Sequence, residues 1–262
     1  MTAPTEHDQT IRRAFTQQAA AYAANPNISD RARIARLIEA MDLQASDKVL
    51  EVATGPGYIA LALGALVREV VGIDLTAAPL AIAERLRQQY GLANVRFETA
   101  NALDLPFAAA TFEAAVCRLA FHHFEAPQPV LQEMVRVCKS GGTVAVQDMV
   151  ASEHPQRAAY HNRVERLRDP SHTTALSLSR LLTMFAEAGL EVTQVSTEYQ
   201  PQVVEAWLKS GHTPPAEAAQ VRELLRQDLA DDLSGMETFR DAEGALGFKH
   251  RMAIVVGRKL AL

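Results

Sequence analysis

Between residues 48 and about 150 the chain alternates strictly between short β-rich runs and longer helical ones, and this order constrains the fold more than any other feature. Residues 48–53 form a β-rich run that ends in the turn Thr54-Gly55-Pro56-Gly57, and a helical run opens at Tyr58. Residues 70–73 read as a second strand ending at Asp74, and Thr76 is placed to cap a helix over 77–90 that Gly91 closes. Residues 95–97 and 114–117 supply a third and a fourth strand. A helix with Val130, Leu131, Met134, Val135 and Val137 on its buried side follows, halted by Gly141-Gly142 before a fifth strand at 143–146. Strand and helix in strict succession imply a parallel sheet with helices on both faces.

The flanks are helical. On one side, Ile11, Phe15, Ala19 and Tyr22 share a helical face that Asn25-Pro26-Asn27 ends, and Ser29 is placed to cap a second helix carrying Ile34, Leu37, Ile38 and Met41. On the other, helices are expected near 156–168 and 177–188, a strand over 190–198, a mostly helical insertion over about 203–233, and a last strand at 250–256. No linker interrupts the 262 residues, so the expectation is one domain: 1–45 a helical lid, 46–150 the core, 151–262 substrate-side helices and last strands.

Composition narrows the function. With 26 basic against 31 acidic residues the net charge is −5, without the basic stripe of a nucleic-acid binder. Two cysteines, Cys117 and Cys138, cannot build a disulfide framework and read as small buried hydrophobes in a reducing compartment. The most apolar stretch, 58–67, is about half of a membrane span, and the opening MTAPTEHDQT lacks a secretory pattern, so a cytoplasmic location without a membrane span is expected.

The glycine turn and its acid point to a ligand. A sharp strand-to-helix turn with Gly55 and Gly57 lets a ligand approach backbone amides, and Asp74, nineteen positions after Gly55, stands where an acid would meet a ribose. Gly55-x-Gly57-x-x-Ala60 alone also fits a dinucleotide fingerprint, which keeps an NAD-linked oxidoreductase open. Glu51 at the end of the first strand weighs against it: a carboxylate repels a pyrophosphate but suits the ammonium and sulfonium of a methyl donor.

Together with Asn101-Ala-Leu-Asp-Leu-Pro-Phe107, Phe121-His-His-Phe124 and Arg136-Val-Cys-Lys-Ser-Gly-Gly142, this series resembles the class I S-adenosylmethionine-dependent methyltransferases, in the ubiquinone/menaquinone-biosynthesis-like branch, over about residues 15–148. The resemblance implies an α/β doubly wound, Rossmann-like, mostly parallel seven-stranded sheet with an antiparallel last strand, an N-terminal helical lid and a C-terminal helical insertion. It implies S-adenosyl-L-methionine as cofactor and S-adenosyl-L-homocysteine as product. Glu51, Ala53, Gly55 and Gly57 match the motif for the methionine part, with Ala53 where the family often has glycine. Asp74 matches the ribose acid, Leu75 the adenine neighbour, Asn101 and Ala102 the pair at the adenine edge, Arg118 a cofactor contact, and Tyr22 the lid over the methionine end.

For the chemistry, His122 and His123 follow strand four at the sheet's carboxyl edge, and one is the leading general-base candidate, the alternative being a scaffolding pair. Asp148 should end strand five beside them. The turn Arg168-Asp169-Pro170-Ser171-His172 resembles a segment of one subgroup of these enzymes and is expected either to cover the cleft, with Arg168, Asp169 and His172 on the substrate side, or to end a helix in solvent. Trp207 reads as an anchor of the insertion. A metal held by His122, His123, Asp148, His154 or His172 lacks ligand spacing, so no metal is assigned. The expected partner is a small molecule, such as a phenol, quinol or other aromatic acceptor. Nucleic acid is disfavoured because Cys117-Arg-Leu-Ala-Phe121 is not the Asn-Pro-Pro-Tyr type used for base methylation. Both a monomer and a homodimer fit.

Overall fold

Strand β1 (Lys48–Val52) lies inside the sheet, and both of its faces are covered: Leu50 and Val52 join one apolar layer, Val49 the other. A strand buried on both sides reads as a continuous apolar run, as this one does. The computed structural model describes residues 5–260; Met1–Pro4, part of the opening read for a targeting signal, lie outside them. β1 pairs in parallel with β2 (Glu69–Asp74) on one side and β4 (Phe112–Arg118) on the other. β3 (Val95–Thr99) adds outside β2, and β5 (Cys138–Met149) outside β4. Then β8 (Leu246–Lys259) runs antiparallel between β5 and β6 (Leu190–Val203), giving the order β3-β2-β1-β4-β5-β8-β6. The doubly wound sheet with an antiparallel last strand is therefore present. A two-residue strand, β7 (Phe239–Arg240), pairs with β8 as an eighth member that the sequence reading lacks.

Helices cover both faces. α5 (Pro127–Val137) and α7 (Leu178–Glu187) bury Val130, Leu131, Met134, Leu181, Met184 and Phe185 on one layer; α2 (Arg31–Ala40) and α3 (Tyr58–Leu63) bury Ile34, Leu37, Ile59 and Leu63 on the other. α2 thus belongs to the sheet's packing, and α1 (Glu6–Ala23) alone lies over the carboxyl edge. α4 (Ala77–Gln89) runs beside β3. A third apolar cluster joins α6 (Pro155–Arg168), α8 (Val204–Ser210), α9 (Pro215–Asp231) and β8 through Val164, Trp207, Val221, Leu225 and Phe248, with Trp207 as the expected anchor. Both cysteines are free and buried.

Local details depart from the sequence reading for definable reasons. Asp30, not Ser29, caps α2, because a carboxylate accepts from both Ala32 and Arg33 amides. Thr76 precedes α4 without a side-chain cap, because Pro79 at the third helical position has no N–H to offer its hydroxyl; Asp74 Oδ1 accepts the Thr76 amide at 2.8 Å. α5 stops at Val137, before the glycine pair, as Cys138 turns extended to pair with Phe112; Gly142 sits in the strand where a Cβ would come 2.7 Å from the Glu113 carbonyl.

The turn after β1 carries a left-handed run: Ala53 at φ 55°, Gly55 at 53° and Gly57 at 81°. At Gly57 a Cβ would also meet Phe97 at 2.7 Å and Ala83 at 2.9 Å, so glycine is required twice over. Ala53 occupies a glycine conformation with a side chain. Ala53→Gly should therefore raise the unfolding free energy of the ligand-free protein by about 0.5–1 kcal/mol in denaturant titrations; a loss of stability would contradict strain at this position.

Candidate active site

The turn is held by two buried carboxylates. Glu51 Oε2 accepts the Thr54 hydroxyl at 2.5 Å and the Ala60 amide at 2.8 Å, tying the end of β1 to the first turn of α3. Burial pushes the Glu51 carboxyl up to about 7, against the pull of those two donors. Asp74 Oδ2 accepts the Gly55 amide at 2.9 Å and Oδ1 the Thr76 amide, so it joins the ends of β1 and β2. Burial raises its pKa too, with the amides of Thr76 and Gly55 opposing. Each carboxylate oxygen retains acceptor capacity beyond these bonds.

A cleft opens over this edge, at the point where the chain's direction of winding reverses between β1 and β4. One end is walled by Ala53, Gly55, Asp74, Leu75, Asn101 and Ala102; the other by Phe15, His123 and Phe124. A Cβ built on Gly55 would meet only Tyr22, at 3.8 Å, so the turn has open space above its backbone where a ligand can lie. Asn101 Oδ1 accepts the Leu103 amide at 2.9 Å, which leaves its Nδ2 as the free donor at the cleft wall. The cradle fits a nucleoside-bearing cofactor: open backbone, a carboxylate at the strand end, and an amide edge beyond it.

Helix α1 roofs the cleft. His7, Ile11, Phe15 and Tyr22 all line it. His7 Nε2 donates to the His123 carbonyl at 2.7 Å, Phe15 meets the His123 ring edge-on at 5.0 Å, and Gln18 Nε2 donates to the Gly211 carbonyl at 3.2 Å. Tyr58 Oη fixes the end of the helix at the Ala23 carbonyl, 2.6 Å away. Burial lifts the Tyr22 hydroxyl to about 12, so it stays protonated.

Beneath the far end lies a buried polar network. His122 Nδ1 donates to Asp148 Oδ1 at 2.6 Å, and the His122 amide meets Oδ2 at 3.1 Å. Burial opposes the charge on His122, but the Asp148 carboxylate outweighs it and the net shift is upward. His123, 4.1 Å away ring to ring, goes the other way: burial and the neighbouring His122 lower it to about 4. Its Nδ1 donates to the Ser171 carbonyl at 3.0 Å, with Ser171 Oγ at 3.2 Å, while that hydroxyl donates to Asp169 Oδ1 at 2.6 Å. The neutral ring therefore keeps Nε2 as its unprotonated nitrogen. His172 Nε2 donates to Asn162 Oδ1 at 2.7 Å, and burial drives its pKa to about 2.

With this geometry in view, comparison with known proteins is decisive. A family described as "Methyltransferase domain" matches residues 43–199. The uncharacterized methyltransferase YcgJ of Bacillus subtilis is 31% identical over 207 residues, covering 79% of this chain and 82% of that protein. The chain belongs to the class I S-adenosylmethionine-dependent methyltransferases. The crystal structure of YcgJ superposes with a TM-score of 0.83 at 29% identity, covering 88% of this methyltransferase and 99% of that chain. A demethylmenaquinone methyltransferase of Thermus thermophilus is 40% identical over 105 residues, 39% of this chain and 47% of its own, in keeping with the ubiquinone/menaquinone-biosynthesis-like branch.

The methyltransferase's cleft gathers Tyr22, Ala53, Gly55, Asp74, Leu75, Asn101, Ala102 and His123. Other expected residues stand behind its walls. Arg118 does not reach the cleft: its guanidinium donates to Gln147 Oε1 and to the carbonyls of Ile28 and Asn27, clamping the turn after α1. Glu51 and Gly57 shape the turn from below. His122 and Asp148 pair under His123. The turn at 168–172 is neither a cover nor solvated: Asp169, Ser171 and His172 are buried because each meets a polar partner inside, while Arg168 lies over Trp207 at 5.4 Å. His7 escaped notice, although its phase with Ile11 and Phe15, four residues apart each, was the available signal. Also unanticipated is a cluster of His161, Glu165 and His250.

Glu51 makes stability depend on pH. It is protonated when folded and ionised when unfolded between its ordinary 4.5 and about 7, so the protein loses stability as pH rises through that window. Glu51→Gln, which keeps a carbonyl oxygen for both donors, should remove the loss and gain on the order of 2–3 kcal/mol over wild type at pH 8. Parallel pH-dependent curves for the two proteins would refute this.

Proposed function

We propose that this methyltransferase transfers a methyl group from S-adenosylmethionine to a small, largely apolar acceptor bearing a weakly acidic proton, such as a phenol or quinol. The observation that carries the reading is the cleft itself, in which the Gly55 and Asp74 cradle and the His123 ring share one volume under α1. Similarity to demethylmenaquinone methyltransferases supports an aromatic acceptor.

Bound S-adenosylmethionine supplies an electrophilic methyl group on a sulfonium, and its departure leaves a neutral thioether. Asp74 takes the ribose hydroxyls on its free lone pairs, Asn101 Nδ2 donates to the adenine edge, and Leu75 and Ala102 cover the ring. The backbone of Ala53 and Gly55 lies along the methionine part, and Tyr22 closes over it and excludes water. The acceptor sits against Phe15 and Phe124. His123 Nε2 takes its proton as the new bond to the methyl carbon forms, while the Ser171 carbonyl holds the opposite nitrogen protonated. Alignment supplies most of the rate, and the base adds to it.

Asp74→Ala should weaken S-adenosylmethionine binding in calorimetry by ~10²-fold or more; unchanged affinity would remove Asp74 from the ribose. With an acceptor found by screening phenols, quinols and thiols, His123→Ala should lower kcat and leave cofactor affinity nearly intact. Because His123 sits at about 4, its limb in the pH–rate profile belongs near 4, not at the 6–7 of an unperturbed imidazole. An unaltered kcat in His123→Ala would reduce the histidine to a wall.

A further inference from the structure

Outside the cleft, α6 and β8 bring together His161, Glu165 and His250, and none of the three lines the cleft. We propose that they bind one divalent transition-metal ion, of the zinc or ferrous class, tying α6 to the antiparallel strand. His161 and Glu165 share a helix face by their four-residue spacing, and His250 arrives from the sheet. All three are buried, at 2%, 2% and 5% exposure. His250 Nε2 lies 2.6 Å and His161 Nε2 3.7 Å from the same oxygen, Glu165 Oε1, so both imidazoles aim one nitrogen at one point.

Protein-only chemistry leaves this cluster incomplete. His161 Nε2 is fully buried and has no hydrogen-bond partner. An unsatisfied buried nitrogen beside a buried carboxylate is costly. A cation between the three atoms satisfies both rings and the carboxylate together. Ligand bonds of about 2.0–2.1 Å require ligand atoms about 3.3 Å apart, which the present separations reach by shifts of less than about 1 Å. Two imidazoles and one carboxylate are the donor set of zinc and non-haem iron, not of magnesium or calcium. The walls are apolar: Trp207 and Phe248 flank His250 at 6.0 and 4.8 Å, so a bound ion is shielded from water.

The test uses the full chain, stripped with a chelator, then titrated with Zn²⁺ or Co²⁺ both folded and during refolding from denaturant. Binding of one equivalent per chain is expected, with Co²⁺ giving the visible d–d absorption of a four- or five-coordinate nitrogen–oxygen site, and with a raised Tm. His250→Ala and Glu165→Gln should each lower affinity ~100-fold or more, whereas His154→Ala and His212→Ala, at exposed histidines, should leave it unchanged. Wild type alone suffices to overturn the proposal: no stoichiometric binding and no Co²⁺ band under either protocol would do so. So would retention of the band in folded His250→Ala, or its loss in the surface variants.

Discussion

The architecture of the cleft depends on a carboxylate that never faces it. Glu51 ends β1 inside the protein and accepts from Thr54 and from the first turn of α3, so strand, turn and helix meet at one oxygen. The left-handed residues between them would otherwise relax, since Ala53 holds a conformation that an L side chain disfavours. The fixed turn places the Gly55 amide against Asp74, and Asp74 in turn sets the start of α4 through Thr76. Asp74 is thus part of the scaffold before any ligand arrives, the condition for precise placement at low entropic cost.

The far end of the cleft follows another logic. Adjacent histidines in one short turn receive opposite electrostatic treatment: Asp148 favours charge on His122, and that charge together with burial keeps His123 neutral. Two adjacent titratable groups are thereby pushed apart, one toward the charged and one toward the neutral form. The buried turn at 168–172 belongs to this arrangement, because Asp169 holds Ser171 and Ser171 holds His123.

The sheet was legible because β1, β2, β4 and β5 are buried on both faces and announce themselves as apolar runs, and because Gly55 and Gly57 mark a turn only glycine accommodates well. Asp74 was legible from its spacing. The roles of Arg118, Asp148 and Asp169 were not, since each is decided by partners distant in sequence: Arg118 by carbonyls ninety residues earlier, Asp148 by a histidine twenty-six residues away. His161 and Glu165 carried a helical spacing, but their third member lies eighty-five residues beyond Glu165 and no local pattern joins them. Charged residues at 168–172 suggested a cleft cover or a solvated turn, because polarity alone cannot disclose an interior that supplies its own hydrogen bonds.

The fastening of α1 has a mechanical consequence. Its side chains hold the His123 carbonyl at one point and the Gly211 carbonyl at another, and Gly211 packs against the Arg168 guanidinium, whose own neighbour is Asp169. Lifting the roof to admit or discharge a molecule therefore tugs on both ends of the chain of bonds that orients the His123 ring. Roof and ring are therefore mechanically one unit: α1 cannot shift without straining the bonds that set the His123 imidazole.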